Sequence, residues 1–281
     1  MPLIAVIGSV NLDIVAKADR LPVAGETVTN AELGRFPGGK GANQALAARR
    51  LGAEVMFVAC VGTDSAAEEA LALLREGGVD LSGVVSVDDV PTGVALITVA
   101  ASGENQIVVA PGANRSLAPE SLQVPIADAL ICQLEVPGDA VARAAQEFDG
   151  FFAVNLAPAM HVDVSILQHA DLVIVNETEA AWYGDSLSAC TGMIATTYGA
   201  DGATLSRQGD VIAKAKPPQI EVVDTTAAGD TFTAALTIAL VEGQSPEDAL
   251  QFACAAGAAA TMKMGAQPSL PTRADVIALL N

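Results

Sequence analysis

The stretch Val223-Asp224-Thr225-Thr226-Ala227-Ala228-Gly229-Asp230-Thr231-Phe232 leads small, hydroxylic and acidic residues into an apolar helical pattern. Small residues at a helix start let backbone N–H groups close on an anion. The helix N-terminus adds roughly half a positive charge and several unpaired donors. Asp230 stands where such an anion would bind. A carboxylate there can cap the helix, or it can act as a general base that takes a hydroxyl proton while the N–H groups hold a phosphoryl group. The local sequence leaves both readings open. No GxxxxGK[ST] loop occurs, so a Walker-type phosphate site is absent.

A second turn, Gly38-Gly39-Lys40-Gly41-Ala42-Asn43, also opens a helical pattern. Its backbone amides, one Asn amide and one Lys are suited to binding hydroxyl groups. Asn11-Leu12-Asp13 directly follows an apolar run, and Asp13 could accept a pair of hydroxyl hydrogen bonds. Polar residues at strand carboxyl ends are where open α/β sheets bind ligands. Turn chemistry is the competing reading for Asn11 and Asp13.

Short apolar runs alternate with Ala-rich helical patterns around these residues. Leu3–Ile7, Val55–Cys60, Ala129–Leu134, Phe151–Asn155 and Leu172–Asn176 read as buried strands. Ala42–Leu51, Ala66–Glu76, Thr231–Glu242, Pro246–Met262 and Arg273–Leu280 read as helices. Such alternation predicts an α/β fold, a doubly wound, mostly parallel sheet covered on both faces. Two segments break the pattern. Val15–Phe36 is polar and punctuated by Pro22, Gly25 and Gly34, and Thr92–Val109 reads as a β-hairpin about Ser102-Gly103-Glu104-Asn105. Both suggest antiparallel strands outside the main sheet, a flap over its carboxyl ends, with ordinary edge hairpins as the competing reading. No linker or repeat divides residues 1–281, so one domain is expected.

Composition narrows the partners. Fourteen Lys and Arg face 33 Asp and Glu, a formal charge of −19, which disfavours nucleic acid and anionic membrane surfaces. The aromatic fraction of 4% gives no base-stacking platform. Apolar residues at 51% supply a sizeable core. Cys60, Cys132, Cys190 and Cys254 lie far apart without a CxxC pair and read as free thiols of a reducing, cytoplasmic setting. Met1–Gly8 lacks a basic region and reads as a strand rather than a leader, and no run is long enough to span a membrane.

Taken in order, these elements resemble the ribokinase branch of the PfkB carbohydrate kinase family. The carrying residues are Gly38 to Ala45 and Asp224 to Phe232. Pro22 to Val28, Asn176-Glu177-Thr178-Glu179, Thr197 to Gly202 and Gly265 to Pro271 support them. The resemblance spans nearly the whole chain. It implies a doubly wound α/β domain whose small β-sheet lid, from about 12–37 and 92–110, often clasps a second copy as a homodimer. It implies MgATP-dependent phosphorylation of a sugar hydroxyl. Asp230 would then be the catalytic base, and Ala227, Ala228 and Gly229 the anion hole. Asn11, Asp13, Gly39, Lys40, Gly41, Asn43 and Glu135 would bind the sugar. Asn176, Thr197, Gly199, Ala200, Asp201, Gly202 and Gly229, with the Cys254 region, would line the ATP site. Glu179 would be linked to magnesium through water. A potassium site would use the Asp224 side chain and carbonyls near Thr226, Ala260, Lys263 and Gly265, completed by Ser269.

The candidate sugar site offers two carboxylates and only Lys40 as a base, which favours a neutral acceptor over a sugar phosphate. The Gly-Gly-Lys-Gly-Ala-Asn-Gln and Gly-Ala-Gln-Pro-Ser patterns look most like the branch that phosphorylates D-ribose at its 5-hydroxyl. Deoxyribose, another sugar or a nucleoside are the alternatives, with a non-catalytic sugar- or nucleotide-binding protein further behind. The chain departs from the family in three places, one of them a short Gln146–Gly150 segment that trims a surface helix. Residues 180–196 are short, with room for a helix end, a turn and one strand. Cys254 stands where the branch often has His near the adenine.

Overall fold

In the computed structural model, which describes residues 1–281, nine strands form one sheet. Its parallel strands are β1 (Leu3–Ile7), β4 (Glu54–Gly62), β5 (Asp80–Val87), β8 (Ala129–Gln133), β9 (Phe151–Asn155), β10 (Leu172–Asn176) and β11 (Met193–Thr197). Two further strands, β12 (Ala203–Arg207) and β13 (Asp210–Ala215), close one edge antiparallel, and the spatial order is β13-β12-β11-β10-β9-β8-β1-β4-β5. The central strands are continuous apolar runs because both faces are covered. One face packs under α1 (Lys40–Arg50), α2 (Ser65–Glu76), α6 (Ala228–Val241) and α7 (Pro246–Ala260). The other packs under α3 (Gly138–Glu147), α4 (Val164–His169) and α5 (Glu177–Tyr183). The short α8 (Ala266–Ser269) and α9 (Arg273–Leu280) end the chain. Strand and helix positions agree with the sequence reading to within a few residues.

A separate four-stranded sheet is built from β2 (Asn11–Ala18), β3 (Glu32–Gly38), β6 (Gly93–Ala100) and β7 (Asn105–Ala110), in the order β3-β2-β6-β7. The sequence reading of antiparallel strands holds for β2 with β3 and for β6 with β7, but β2 and β6 pair in parallel. The reason is topological. β2 leaves the carboxyl end of β1 and β6 leaves that of β5, so both run outward in the same direction. The same sheet also removes the competing turn reading. Asn11 and Asp13 are not in a turn; they belong to β2, and strand alternation turns both to one face while Leu12 is buried behind them.

Residues 180–196 hold the remainder of α5, a 3₁₀ segment at Gly184–Ala189 and the start of β11. No helix is long and apolar enough to cross a membrane.

Candidate active site

Helix α6 starts at Ala228, three residues before the apolar pattern begins. Ala227, its N-cap, takes the left-handed conformation at φ 62° and makes no side-chain cap. The first intrahelical bond is Thr231 N–H to the Ala227 carbonyl, so the N–H groups of Gly229 and Asp230 have no helical partner. A Cβ on Gly229 would meet nothing within 4 Å, so this end of the helix faces open space.

Asp230 lies in the first turn, 7% exposed, and does not cap the helix. Its Oδ2 accepts a hydrogen bond from Asn43 Nδ2 at 2.9 Å, and its Oδ1 accepts one from Gln44 Nε2 at 3.0 Å. Both donors come from the start of α1, whose N-cap is Gly39. Gly39 has φ 91°, and a Cβ there would meet the Asn11 amide nitrogen at 2.7 Å, so this position requires glycine. Burial pushes the Asp230 carboxyl above its usual range, with Glu135 adding to the rise. The Lys40 ammonium and the Asn43 and Gln44 amides pull the other way.

Around Asp230 the carboxyl ends of β1 and β8 supply further polar groups. Glu135 Oε2 accepts from Ser9 Oγ at 2.5 Å and from the Lys40 N–H at 3.0 Å. Ser9 Oγ in turn accepts from the Gly41 N–H at 3.2 Å. Asn11 Oδ1 accepts from Asn114 Nδ2 at 2.8 Å. Asp13, 9% exposed, lies over Gly38, where a Cβ would overlap its carboxylate. Burial, then the charges of Glu135 and Asp230, raise its pKa from 3.8 to about 7. Burial lowers the Lys40 pKa, but Asp230, Glu135 and Glu179 together hold it above its usual value. Asn43 Oδ1 is buried and has no partner within the protein.

The other sequence-derived residues sit along the same strand ends. Asn176 caps α5: its side chain accepts from the Glu179 N–H, and Glu179 Oε2 accepts from the Asn176 N–H, each at 2.8 Å. Glu179 thus has a structural task beside any other. Burial raises its pKa, while the Asn176 N–H and Lys40 lower it. Thr197 ends β11, and Gly199, Ala200 and Asp201 form one 3₁₀ turn, pinned by the Tyr198 N–H to the Gly202 carbonyl at 2.8 Å. Cys254 lies on α7, its thiol buried near the Ala215 carbonyl and pushed up to about 11 by burial. That placement makes it a core residue, so its side chain does not line an open surface.

Asp224 ties two loops together. Its Oδ1 accepts from the Thr226 N–H at 2.9 Å and hydroxyl at 2.6 Å, and its Oδ2 accepts from the Gly265 N–H at 2.8 Å. Ala260 is the last residue of α7, where helix carbonyls carry partial negative charge. Ser269 is buried, and its hydroxyl donates to the Ala266 carbonyl at 2.8 Å. One carboxylate among carbonyls suits a hard, weakly charged cation. No three His, Cys, Asp or Glu side chains group as a metal-ligand set. Magnesium fits such a site through phosphate oxygens and water, with few protein ligands.

Sequence reasoning missed Ser9, Gln44, Asn114, Gln133 and Asn155. Gln133 and Asn155 carried a signal, as polar ends of apolar strands; both are at least nine-tenths buried.

An open, mostly parallel α/β sheet with a buried carboxylate at a free helix N-terminus, opposite polar groups of a kind that can bind hydroxyls, is an arrangement suited to a phosphotransferase with an alcohol acceptor. A family model described as pfkB family carbohydrate kinase matches residues 1–273. The ribokinases of Haemophilus influenzae and Bacillus subtilis are each 37% identical to the chain, over 302 and 292 residues; the matches cover 99% of this chain and 98% and 99% of those relatives. The Arabidopsis thaliana ribokinase solved with ribose and ATP has a TM-score of 0.90 at 32% identity, covering 100% of this chain and 99% of that one. The chain belongs to the PfkB family of carbohydrate kinases, and it is a sugar kinase.

Proposed function

We propose that the chain transfers the γ-phosphate of ATP to the 5-hydroxyl of D-ribose, giving D-ribose 5-phosphate. The observation that carries this reading is the Asp230 carboxylate, fixed at both oxygens beside the unpartnered N–H groups of Gly229 and Asp230. Asp230 takes the proton from the attacking hydroxyl as the oxygen bonds to the γ-phosphorus in line. The amides around Ala227–Gly229 stabilise charge on the phosphoryl oxygens. Asn11, Asp13, Lys40, Asn43 and Glu135, with the turn at Gly39 and Gly41, hold the sugar hydroxyls, and the unpartnered Asn43 Oδ1 is a ready acceptor for one. Asn176, Thr197 and the Gly199–Gly202 turn lie along the nucleotide, with α7 at Cys254 packing behind it. Magnesium, held through water at Glu179, would supply charge neutralisation on the phosphates. The similarity of the whole chain to ribokinases, one of them solved with ribose, supports ribose as acceptor. Rates measured on ribose, deoxyribose, fructose and nucleosides test this: ribose is expected to give the highest kcat/KM, and any other acceptor ranking above it removes the assignment.

A potassium ion held by Asp224, Ser269 and the carbonyls of Thr226, Ala260, Lys263 and Gly265 would fix the turn that orients the Ala227–Gly229 amides. Replacing potassium with sodium is expected to lower kcat several-fold with little change in the sugar KM. An unchanged rate speaks against the cation site.

The whole chain acts as one unit with the small sheet as its lid, in a cytoplasm that keeps its four thiols free. Lid closure excludes water from the transferring phosphoryl group. Leu33, Leu96 and Val108 are each more than half exposed, and strand pairing sets them on one face of this sheet, an apolar surface suited to a second copy of the lid. Light scattering is expected to report a dimer, and Val108→Asp a monomer. A wild-type monomer rules out the clasp.

A further inference from the structure

Asp230 is the end of a buried amide chain that the reaction scheme leaves unused. Gln44 Nε2 donates to Asp230 Oδ1 at 3.0 Å and also approaches Asn155 Oδ1 at 3.3 Å. Gln44 Oε1 accepts from Gln133 Nε2 at 2.7 Å, and Asn155 Nδ2 donates to the Ile174 carbonyl at 3.2 Å. Gln44 and Gln133 are fully buried, and Asn155 is 8% exposed. The direction of the chain follows from chemistry. An ionised carboxylate only accepts, so Gln44 must turn its NH₂ toward Asp230, its oxygen must face Gln133, and Gln133 must donate. The leftover acceptor, Gln133 Oε1, ends buried without a partner beside Gly8, where any Cβ would overlap it. The unpaired group has been moved to the far end of the chain, where it costs the carboxylate nothing.

We propose that Gln44, oriented by Gln133 and Asn155, is a positioning residue that holds the Asp230 carboxylate in its proton-accepting orientation. The proposal rests on Asp230 being the general base. The substitution Gln44→Met keeps the volume and removes the donor. The substitution Gln133→Met removes the donor that holds Gln44 Oε1 and so loosens the orientation of the Gln44 amide, while touching no reacting group. The charged groups facing Asp230 are Lys40 at the start of α1, Glu135 after β8 and Asp13 on β2, and none of them changes in these variants.

Steady-state kinetics across pH and side-chain amide NMR test the proposal. Gln44→Met is expected to lower kcat roughly tenfold or more, the usual effect of losing a hydrogen bond to a charged group, with sugar and ATP KM within about twofold. The acid limb of its kcat profile should move up by about one pH unit, because the ionised carboxylate has lost a donor. Gln133→Met should do the same more weakly. In the wild-type protein, the Gln44 amide protons should exchange slowly and shift with the midpoint of that limb, a readout that needs no variant. Variants whose pH profiles overlay the wild type while only Tm falls overturn the proposal, as does a fast-exchanging Gln44 amide. Full turnover in Asp230→Asn would instead remove the general base itself, so the two failures are distinguishable.

Discussion

Asp230→Asn is expected to lower kcat by roughly 10² to 10⁴, the range for positioned acid–base groups, while sugar and ATP still bind. Two effects act together. An amide cannot take the hydroxyl proton. The geometry adds a second loss: both Asp230 oxygens accept from side-chain N–H groups, Asn43 at 2.9 Å and Gln44 at 3.0 Å. A side-chain amide can accept at only one of those positions, so its own NH₂ must face a donor at the other. Binding to the helix-start amides survives, which is why the loss falls on kcat rather than on the nucleotide KM. Single-turnover rates with saturating sugar and ATP check this, and near-normal turnover removes Asp230 from the role.

Asp13→Asn is expected to make the protein more stable and a poorer catalyst. The Asp13 carboxyl is buried beside Glu135 and Asp230 and titrates at about 7, against 3.8 for an ordinary Asp. The folded state therefore binds the proton more tightly than the unfolded chain does. The protein loses stability as pH rises from about 4 to 7, and above that the loss is constant. About three pKa units correspond to about 4 kcal/mol. Denaturant unfolding should show the Asp13→Asn variant more stable than wild type by about 4 kcal/mol at pH 8 and by less than about 2 kcal/mol at pH 5. In kinetics the same variant should lose roughly 10² in kcat/KM for the sugar, because a charged double acceptor becomes a single neutral one. The wild-type kcat/KM should fall as pH drops below about 7, as Asp13 takes up its proton. A stability gap that is equal at the two pH values, or reversed, contradicts the buried-carboxylate account. The instability is then a cost of holding a charged acceptor ready for hydroxyl groups.

The anionic nucleotide meets a chain of formal charge −19. Uncharged helix-start amides, together with the cations proposed beside them, would resolve this locally, since such groups handle phosphate without clusters of basic side chains.

The sequence by itself determined the central strands and, to within a few residues, the helix starts. Leu3–Ile7, Phe151–Asn155 and Leu172–Asn176 read correctly to the residue, because a strand buried on both faces leaves an unbroken apolar run. It also determined the two Gly-rich helix openings and the ordered motifs that mark the family, because close backbone approach admits few residue types. Tertiary structure alone decided the partners and burial of Asp230. Its local sequence allowed a helix cap, and its actual partners, Asn43 and Gln44, lie 187 and 186 residues away. Tertiary structure also placed Asn11 and Asp13 in a strand, made β2 and β6 parallel, and buried Asp13 deeply enough to move its pKa. Capping, periodicity and turn signals act over a few residues. Pairing direction, burial and the field at a carboxylate depend on which distant segments the sheet order brings together.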